Sequence, residues 1–216
     1  MITYCEVAGS IIIPKKVCIA APNLRTVGRH FHTKTDLAIN LPNLRYVGGD
    51  FDVICTWKLL APRLKHVGGI AQVYGFSLPA LETVGGRLWM YWTLVAIAPR
   101  LRTVGGSLYA HTASVFEAPK LQSVGHHLVV SDLTKRVSVP MLESIGGDFL
   151  AEGAEIIRAY RLKRVGSAID TRKAKDFYLP NLNFGEAWLV HPDAVIRWKV
   201  RQAARRLLTN QPSIEI

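Results

Sequence analysis

The stretch PRLRTVGGSLYA, residues 99–110, decides the fold of this chain because close copies of it recur along most of the sequence. The copies begin at Pro22, Pro42, Pro62, Pro79, Pro99, Pro119, Pro140, Tyr160 and Pro180. The steps between these positions are 20, 20, 17, 20, 20, 21, 20 and 20 residues. A nearly constant step predicts a solenoid in which each copy takes the same place in a stack.

Three apolar positions recur in the same phase and predict the interior of the stack. The first column consists of Leu24, Leu44, Leu64, Leu81, Leu101, Leu121, Leu142, Leu162 and Leu182. The second consists of Val27, Val47, Val67, Val84, Val104, Val124, Ile145 and Val165. The third consists of Phe31, Phe51, Ala71, Leu88, Leu108, Leu128, Phe149 and Ile169. One copy alone cannot bury such residues, so successive copies must cover one another.

Between these columns, apolar and polar residues alternate, which predicts short strands that pair in parallel from coil to coil. The glycines that follow the valine column, as at Gly105 and Gly106, predict sharp corners because glycine tolerates positive φ. The single 17-residue step predicts a deletion in the loop around Gly75.

The recurring pattern P-x-L-x-x-V-G-G-x-[LF] resembles leucine-rich repeats of the bacterial surface-antigen type and the L domains of cell-surface receptors. The similarity runs from Ile11 to Gly185. It implies a protein that binds other macromolecules. The sequence lacks the asparagine that ends the strand in the common cytosolic form, and its convex side shows no helical period. We therefore expect a mainly β, right-handed, leucine-rich-repeat-like solenoid of about nine coils of about 20 residues.

We expect this repeat solenoid to occupy residues 1–190, with an N-terminal half-coil cap over 1–21 and repeats over 22–185. Residues 191–216 then form a basic C-terminal segment, in which apolar residues at helical spacing predict an amphipathic helix. Its basic face consists of Arg197, Lys199, Arg201, Arg205 and Arg206. Two roles stay open for this helix: it caps the last coil, or it docks on an acidic partner or phosphates.

The charge balance favours an acidic partner. Lysine and arginine number 27 against 16 aspartates and glutamates, a formal net charge of +11. Such an excess points to nucleic acid, an anionic membrane or an acidic protein, and it is also found in soluble proteins that bind none of these. Three cysteines without a CxxC pair predict buried, reduced thiols. We find no signal peptide and no membrane-spanning run, so we expect a cytoplasmic protein without a membrane partner.

Residues that flank the third column predict an exposed aromatic patch in the middle of the stack, because they point outward and successive coils lie only ~4.8 Å apart. The patch consists of Tyr74, Trp89, Tyr91, Tyr109 and His111. Clustered exposed aromatic residues are typical of binding hot spots. The alternative is an aromatic ladder that only stabilises the sheet.

Basic residues beside the proline corner predict a ridge along one edge, interrupted by Glu82 and Glu143. The basic ridge consists of Arg25, Arg45, Arg63, Lys65, Arg100, Arg102, Lys120, Arg161, Lys163 and Arg164. Such a ridge can follow a phosphate backbone or an acidic protein. The alternative is a solvated edge whose charges prevent aggregation.

Histidines and aspartates meet at one place in the predicted stack. His30 and His32 share a strand face, and Asp50 and Asp52 hold the same columns one coil further on. A metal site is one interpretation, and surface pairing of histidine with aspartate is the simpler one. The chain has no phosphate-binding loop, dinucleotide fingerprint, zinc-protease motif or serine-hydrolase motif. We therefore expect no catalytic residues, no metal and no cofactor.

The sequence thus predicts a non-enzymatic binding scaffold that recognises a protein partner through an aromatic and basic solenoid face and acts as an inhibitor or adaptor. The alternative is a protein that binds nucleic acid or a nucleoprotein complex through the basic ridge and the C-terminal helix. One instance would be a phage or mobile-element inhibitor of a host nucleoprotein machine.

Overall fold

A computed structural model of the chain describes residues 5–13, 19–34, 38–53, 59–74, 78–91, 95–111, 113–183 and 188–189. Over these ranges the chain winds into a parallel β-solenoid of about eight turns, built from strands without any helix. Several sequence predictions lie outside the described residues, among them the helix over 191–216, the shortened loop around Gly75 and the side chain of Tyr74. Nothing in the described ranges is a helix long and apolar enough to cross a membrane.

Each coil passes through three sheets in turn. Sheet A follows the proline corner, and its strands in the described ranges are Glu6–Val7, Thr26–Val27, Tyr46–Val47, His66–Val67, Thr83–Val84, Thr103–Val104, Ser123–Val124, Ser144–Ile145 and Arg164–Val165. Sheet B follows the glycines, and the strands that the structure describes for it are Ile11–Ile13, Phe31–Thr33, Phe51–Val53, Ala71–Tyr74, Leu88–Tyr91, Leu108–Ala110, Leu128–Val130, Phe149–Leu150, Ala168–Asp170 and Trp188–Leu189.

The third side of the coil is divided between two smaller sheets. Sheet C has the strands Ile19–Ala20, Ile39–Asn40 and Leu59–Leu60. Sheet D has the strands Val95–Ile97, Val115–Glu117, Arg136–Ser138, Ile156–Arg158 and Asp176–Tyr178. All pairings are parallel and join equivalent positions of successive coils, as in Thr83 with Thr103. Linear spacing in the sequence therefore translates directly into position on the surface.

The core follows the three predicted columns. Leu44 and Leu64 are fully buried, and Leu81 is 3% exposed, so leucines of successive coils lie in one interior. Along the sheet B strands the burial alternates, and in Leu108–Ala110 only Tyr109 is turned outward. Burial of each leucine side chain contributes about 1.5–3 kcal/mol relative to its exposure. The prediction of a shared apolar interior is confirmed.

The glycine corners differ from the sequence prediction. None of the described glycines has a φ between +20° and +160°, so the expected positive φ is wrong. Their role is steric: a Cβ on Gly105 or Gly125 would collide with the carbonyl oxygen of the preceding coil's first glycine. The first glycine of each copy is thus required because the backbones of stacked coils approach too closely for a side chain.

One prediction about the cysteines is also wrong. Cys5 is exposed at the first sheet A strand and not buried. Its place just before Glu6–Val7 puts it at the first described coil, which has no preceding coil among the described residues to cover it. Cys18 and Cys55 lie outside the described residues.

Candidate binding surface

Four of the five predicted aromatic residues come together on the outer face of sheet B, and we call them the aromatic array: Trp89, Tyr91, Tyr109 and His111. Trp89 and Tyr91 point outward because Leu88 and Met90 fill the core. The strands pair with Trp89 opposite Tyr109, and the His111 amide donates to the Met90 carbonyl at 3.0 Å.

The four rings of the array are nearly parallel. The centroids of Trp89 and Tyr109 are 4.0 Å apart with an interplanar angle of 14°, and those of Tyr91 and His111 are 5.4 Å apart at 15°. Within each coil, Trp89 lies 5.6 Å from Tyr91, and Tyr109 lies 5.7 Å from His111. Because the rings stack from coil to coil, their planes stand out from the sheet and their edges face solvent. All four residues remain half-buried.

The fifth predicted member, Tyr74, is placed only in its backbone, which pairs with Tyr91. The outward positions next to the array differ on its two sides. Toward the N-terminus, sheet B presents Gln72 and the pair of His32 and Asp52, and toward the C-terminus it presents Val129 and Leu150. The array thus lies between Gln72 and Val129, and in the described ranges the same column ends at the exposed Ile12 on one side and at Asp170 on the other.

A second outward column lies just before the sheet B strands and forms a ladder of side chains and amides. In the N-terminal ladder, the Ser10 hydroxyl accepts the His30 amide at 3.3 Å, and His30 Nδ1 accepts the Asp50 amide at 3.0 Å. Asp50 Oδ1 then accepts the Ile70 amide at 2.7 Å. Each side chain therefore satisfies a backbone donor of the next coil.

The C-terminal ladder repeats these residue types in the same order. Ser107 accepts the His127 amide at 3.3 Å, His127 Nδ1 accepts the Asp148 amide at 3.1 Å, and Asp148 Oδ1 accepts the Ala168 amide at 2.9 Å. The amide of Ala168, then the Ser167 hydroxyl and His127, stabilise the carboxylate and lower the pKa of Asp148. In both ladders the serine hydroxyl is hydrogen-bonded to the histidine backbone amide and not to the imidazole, so neither ladder has the hydrogen bonds of a catalytic triad.

The predicted pairing of histidines with aspartates is confirmed. Nδ1 of His30 lies 3.1 Å from Asp50 Oδ2, and Nδ1 of His32 lies 2.8 Å from Asp52 Oδ2. Burial raises the pKa of Asp52, against the lowering effect of His32. The buried Oδ1 of Asp52 has no hydrogen-bond partner. Within the described ranges, no group of three or more histidine, cysteine, aspartate or glutamate side chains is arranged to hold a metal ion.

Every member of the predicted basic ridge is exposed. Backbone hydrogen bonds place Arg25, Arg45 and Lys65 directly over one another, and the column then continues to Glu82 and Arg102. Ion pairs of Lys65 with Glu82 at 3.4 Å and of Lys163 with Glu143 at 3.0 Å interrupt the positive charge.

The ridge is thus divided by its two acidic members into three clusters. The first cluster consists of Arg25, Arg45, Arg63 and Lys65; the second of Arg100, Arg102 and Lys120; the third of Arg161, Lys163 and Arg164. The Lys65 ammonium, by its hydrogen bond, lowers the pKa of Glu82. The basic face of the predicted C-terminal helix, Arg197 to Arg206, lies outside the described residues.

Sequence reasoning missed a concave site at the glycine corner between sheets A and B, which we call the corner pocket. Its cavity of about 690 Å³ lies at the paired glycines of two coils and is otherwise lined by Ile70, Arg87, Ser107, Tyr109, His126 and His127. Arg87 and Ser107 occupy the ladder column, one and two coils after Ile70. A reading of that column at the repeat step would have found them.

No protein family, no curated protein and no solved structure matches the chain significantly. The architecture therefore stands on the chain's own periodicity and on the parallel pairing that follows from it.

Proposed function

We propose that this protein is a non-enzymatic binding scaffold that recognises a protein partner through the aromatic array and acts as an inhibitor or adaptor. The observation that carries the proposal is the array itself: four nearly parallel rings on two adjacent coils, half-buried and continuous with Val129 and Leu150. As part of the proposal, the repeats belong to the leucine-rich-repeat superfamily, which the leucine column and the β-strand of each coil support.

The stacking of the rings favours binding because it fixes the surface in advance. Docking of a partner on Trp89 and Tyr91 costs little side-chain conformational entropy, because each ring already packs on others. Large, rigid aromatic side chains are enriched among the residues that dominate binding energy. The formal charge of +11 speeds the encounter with an acidic partner.

The test is capture of a partner from a lysate, followed by identification and measurement of its Kd. Replacement of both Trp89 and Tyr91 by alanine should raise that Kd at least ~30-fold, as expected for hot-spot residues. The matched control replaces Val95 and Ile97 by alanine, because these exposed apolar residues lie on sheet D. Unchanged affinity of the Trp89/Tyr91 variant, with an intact circular-dichroism spectrum, would contradict the proposal.

A second candidate function is nucleic-acid binding through the basic ridge, favoured by the exposure of all ten of its cations. The cluster of Arg100, Arg102 and Lys120 makes no ion pair within the described part of the chain. Binding of labelled RNA or DNA should weaken steeply between about 50 and 200 mM salt. Replacement of the three residues by glutamine should reduce the salt slope by about 2–3.

The control for this experiment is Lys163→Gln, because the Lys163 ammonium is already paired with Glu143. It should change the slope by less than about 1. Absence of binding, or binding that salt does not weaken, would remove this candidate.

A further inference from the structure

The corner pocket is a concave site whose lining includes several side chains that can donate hydrogen bonds. Glycines of two coils belong to its lining, so the backbone is accessible there, and Ile70 is the one aliphatic side chain among the other lining residues. Ser107 is small and only 3% exposed, and it lies in the ladder column between Arg87 and His127. Two steps of the strand spacing separate the backbones of Arg87 and His127 by roughly 10 Å. This gap can hold a tetrahedral anion that contacts both side chains.

The charge around the pocket favours an anion. The Arg87 side chain is exposed and makes no ion pair in the described part of the chain, and no carboxylate lines the cavity. His127 Nδ1 is engaged by Asp148, because it lies 3.1 Å from the Asp148 amide nitrogen and 3.0 Å from Asp148 Oδ2, so Nε2 is the ring nitrogen that can meet a ligand. The Asp148 carboxylate is held by Ala168 and by His127. Arginine, imidazole and hydroxyl donors together suit phosphate oxygens.

The pocket also borders an aromatic face. Tyr109 belongs to both the aromatic array and the pocket lining. Trp89 covers one face of the Tyr109 ring at 4.0 Å. The other face is turned toward the next coil, where the outward residue is Val129 and not a further aromatic ring. A planar heterocycle can therefore extend the stack above Val129, as bases do on aromatic platforms.

We infer that the corner pocket binds a nucleoside monophosphate group, with the phosphate between Arg87 and His127 and the base stacked on Tyr109. This goes beyond the proposed function, because protein recognition uses the outer ring edges of Trp89 and Tyr91. A free nucleotide and the end of a single strand offer the same chemistry, and the two sources are separated by comparing AMP with an oligonucleotide that lacks a terminal phosphate.

The experiment is calorimetric titration of the full chain at low salt with AMP, inorganic phosphate and adenosine. AMP should bind at least tenfold more tightly than either fragment, because only AMP reaches both the donors and the ring. Arg87→Gln should weaken AMP and phosphate binding more than tenfold, since a hydrogen bond to a charged group is lost. Arg136→Gln is the matched control and should leave both unchanged, because Arg136 is an exposed arginine on sheet D, outside the pocket and the basic ridge.

A second variant separates ring recognition from phosphate recognition without removing a packed aromatic residue. Val129→Phe places a ring in the space reserved for the base, so AMP binding should fall to the level of inorganic phosphate while phosphate binding persists. AMP that binds no better than phosphate to the native chain would overturn the inference. So would an unchanged AMP affinity in Arg87→Gln, or tighter binding of a phosphotyrosine peptide than of AMP.

Discussion

The two ladders of serine, histidine and aspartate are alike in their hydrogen bonds and differ in what surrounds them. Both satisfy three successive amides, with distances of 3.3, 3.0 and 2.7 Å in the N-terminal ladder and 3.3, 3.1 and 2.9 Å in the C-terminal ladder. The N-terminal ladder lies beside the exposed Ile12 and the polar pair of His32 and Asp52. The C-terminal ladder lies beside Tyr109, Val129 and Leu150.

The repeat supplies the framework, and the variable outward positions supply the chemistry. The same ladder, placed beside Ile12 and a second histidine–aspartate pair, gives a mixed apolar and ionic surface. Placed after Arg87 and beside Tyr109, it gives a pocket with donors and an aromatic wall. The positions that change from coil to coil therefore carry specificity, and those that stay constant carry stacking.

Substitution of a first glycine should destabilise the fold the most, because it forces stacked coils apart and breaks the ladders that join them. Gly48→Ala, in the N-terminal half, and Gly125→Ala, in the C-terminal half, both direct a Cβ into the carbonyl oxygen of the coil before. We expect each to lower the free energy of unfolding by more than about 3 kcal/mol, measured by urea denaturation. Gly106→Ala should cost less, because the nearest atoms to its Cβ are 2.9 Å away. A Gly125→Ala protein as stable as Gly106→Ala would contradict the steric explanation.

Loss of a ladder carboxylate should destabilise the fold more than loss of an ordinary surface charge. Asp50→Ala and Asp148→Ala each leave an amide of the next coil, of Ile70 or Ala168, without its acceptor. The expected loss is about 1–3 kcal/mol in each ladder. Asp50→Asn and Asp148→Asn keep a carbonyl acceptor and should recover most of that stability. If the asparagine variants are as unstable as the alanine variants, the charge and not the hydrogen bond carries the ladder.

The contributions of Asp148 and Asp52 to stability should differ slightly in their dependence on pH. The pKa of Asp148 is lowered in the folded chain, so its contribution is present above the ordinary pKa of aspartate and is lost as the pH falls through the folded value. The pKa of Asp52 is raised by burial, so its contribution is present at low pH and is lost as the pH rises through the folded value.

Unfolding measured from about pH 3 to pH 7 checks these signs against the ordinary pKa of aspartate. The advantage of the native chain over Asp148→Asn should shrink on acidification. The free energy of unfolding of Asp52→Asn should rise relative to that of the native chain as the pH rises. The same direction in both variants would contradict the assignment of burial as the main influence on Asp52.

The interior could be predicted from the sequence because one period governs it. Leu44, Leu64 and Leu81 pile up as expected since each coil must bury its leucine under the next. The role of the glycines was not predictable from their identity, because glycine serves both positive φ and close backbone approach, and only the stacking distance separates the two. The aromatic array is predictable because aromatic residues at outward positions are recognisable by type. Arg87 and Ser107 are recognisable only by their position in the ladder column, which has to be followed through Ile70.

Because equivalent residues pair in register, the number of coils sets the distance between any two surface features along the solenoid. Each added copy advances the surface by one strand spacing of ~4.8 Å and leaves the geometry within every other coil unchanged. A duplicated copy between the His32–Asp52 pair and Trp89 would move those two features apart by one strand spacing without altering either. Length, and with it the distance between recognition elements, is therefore a property that this architecture can change in fixed increments.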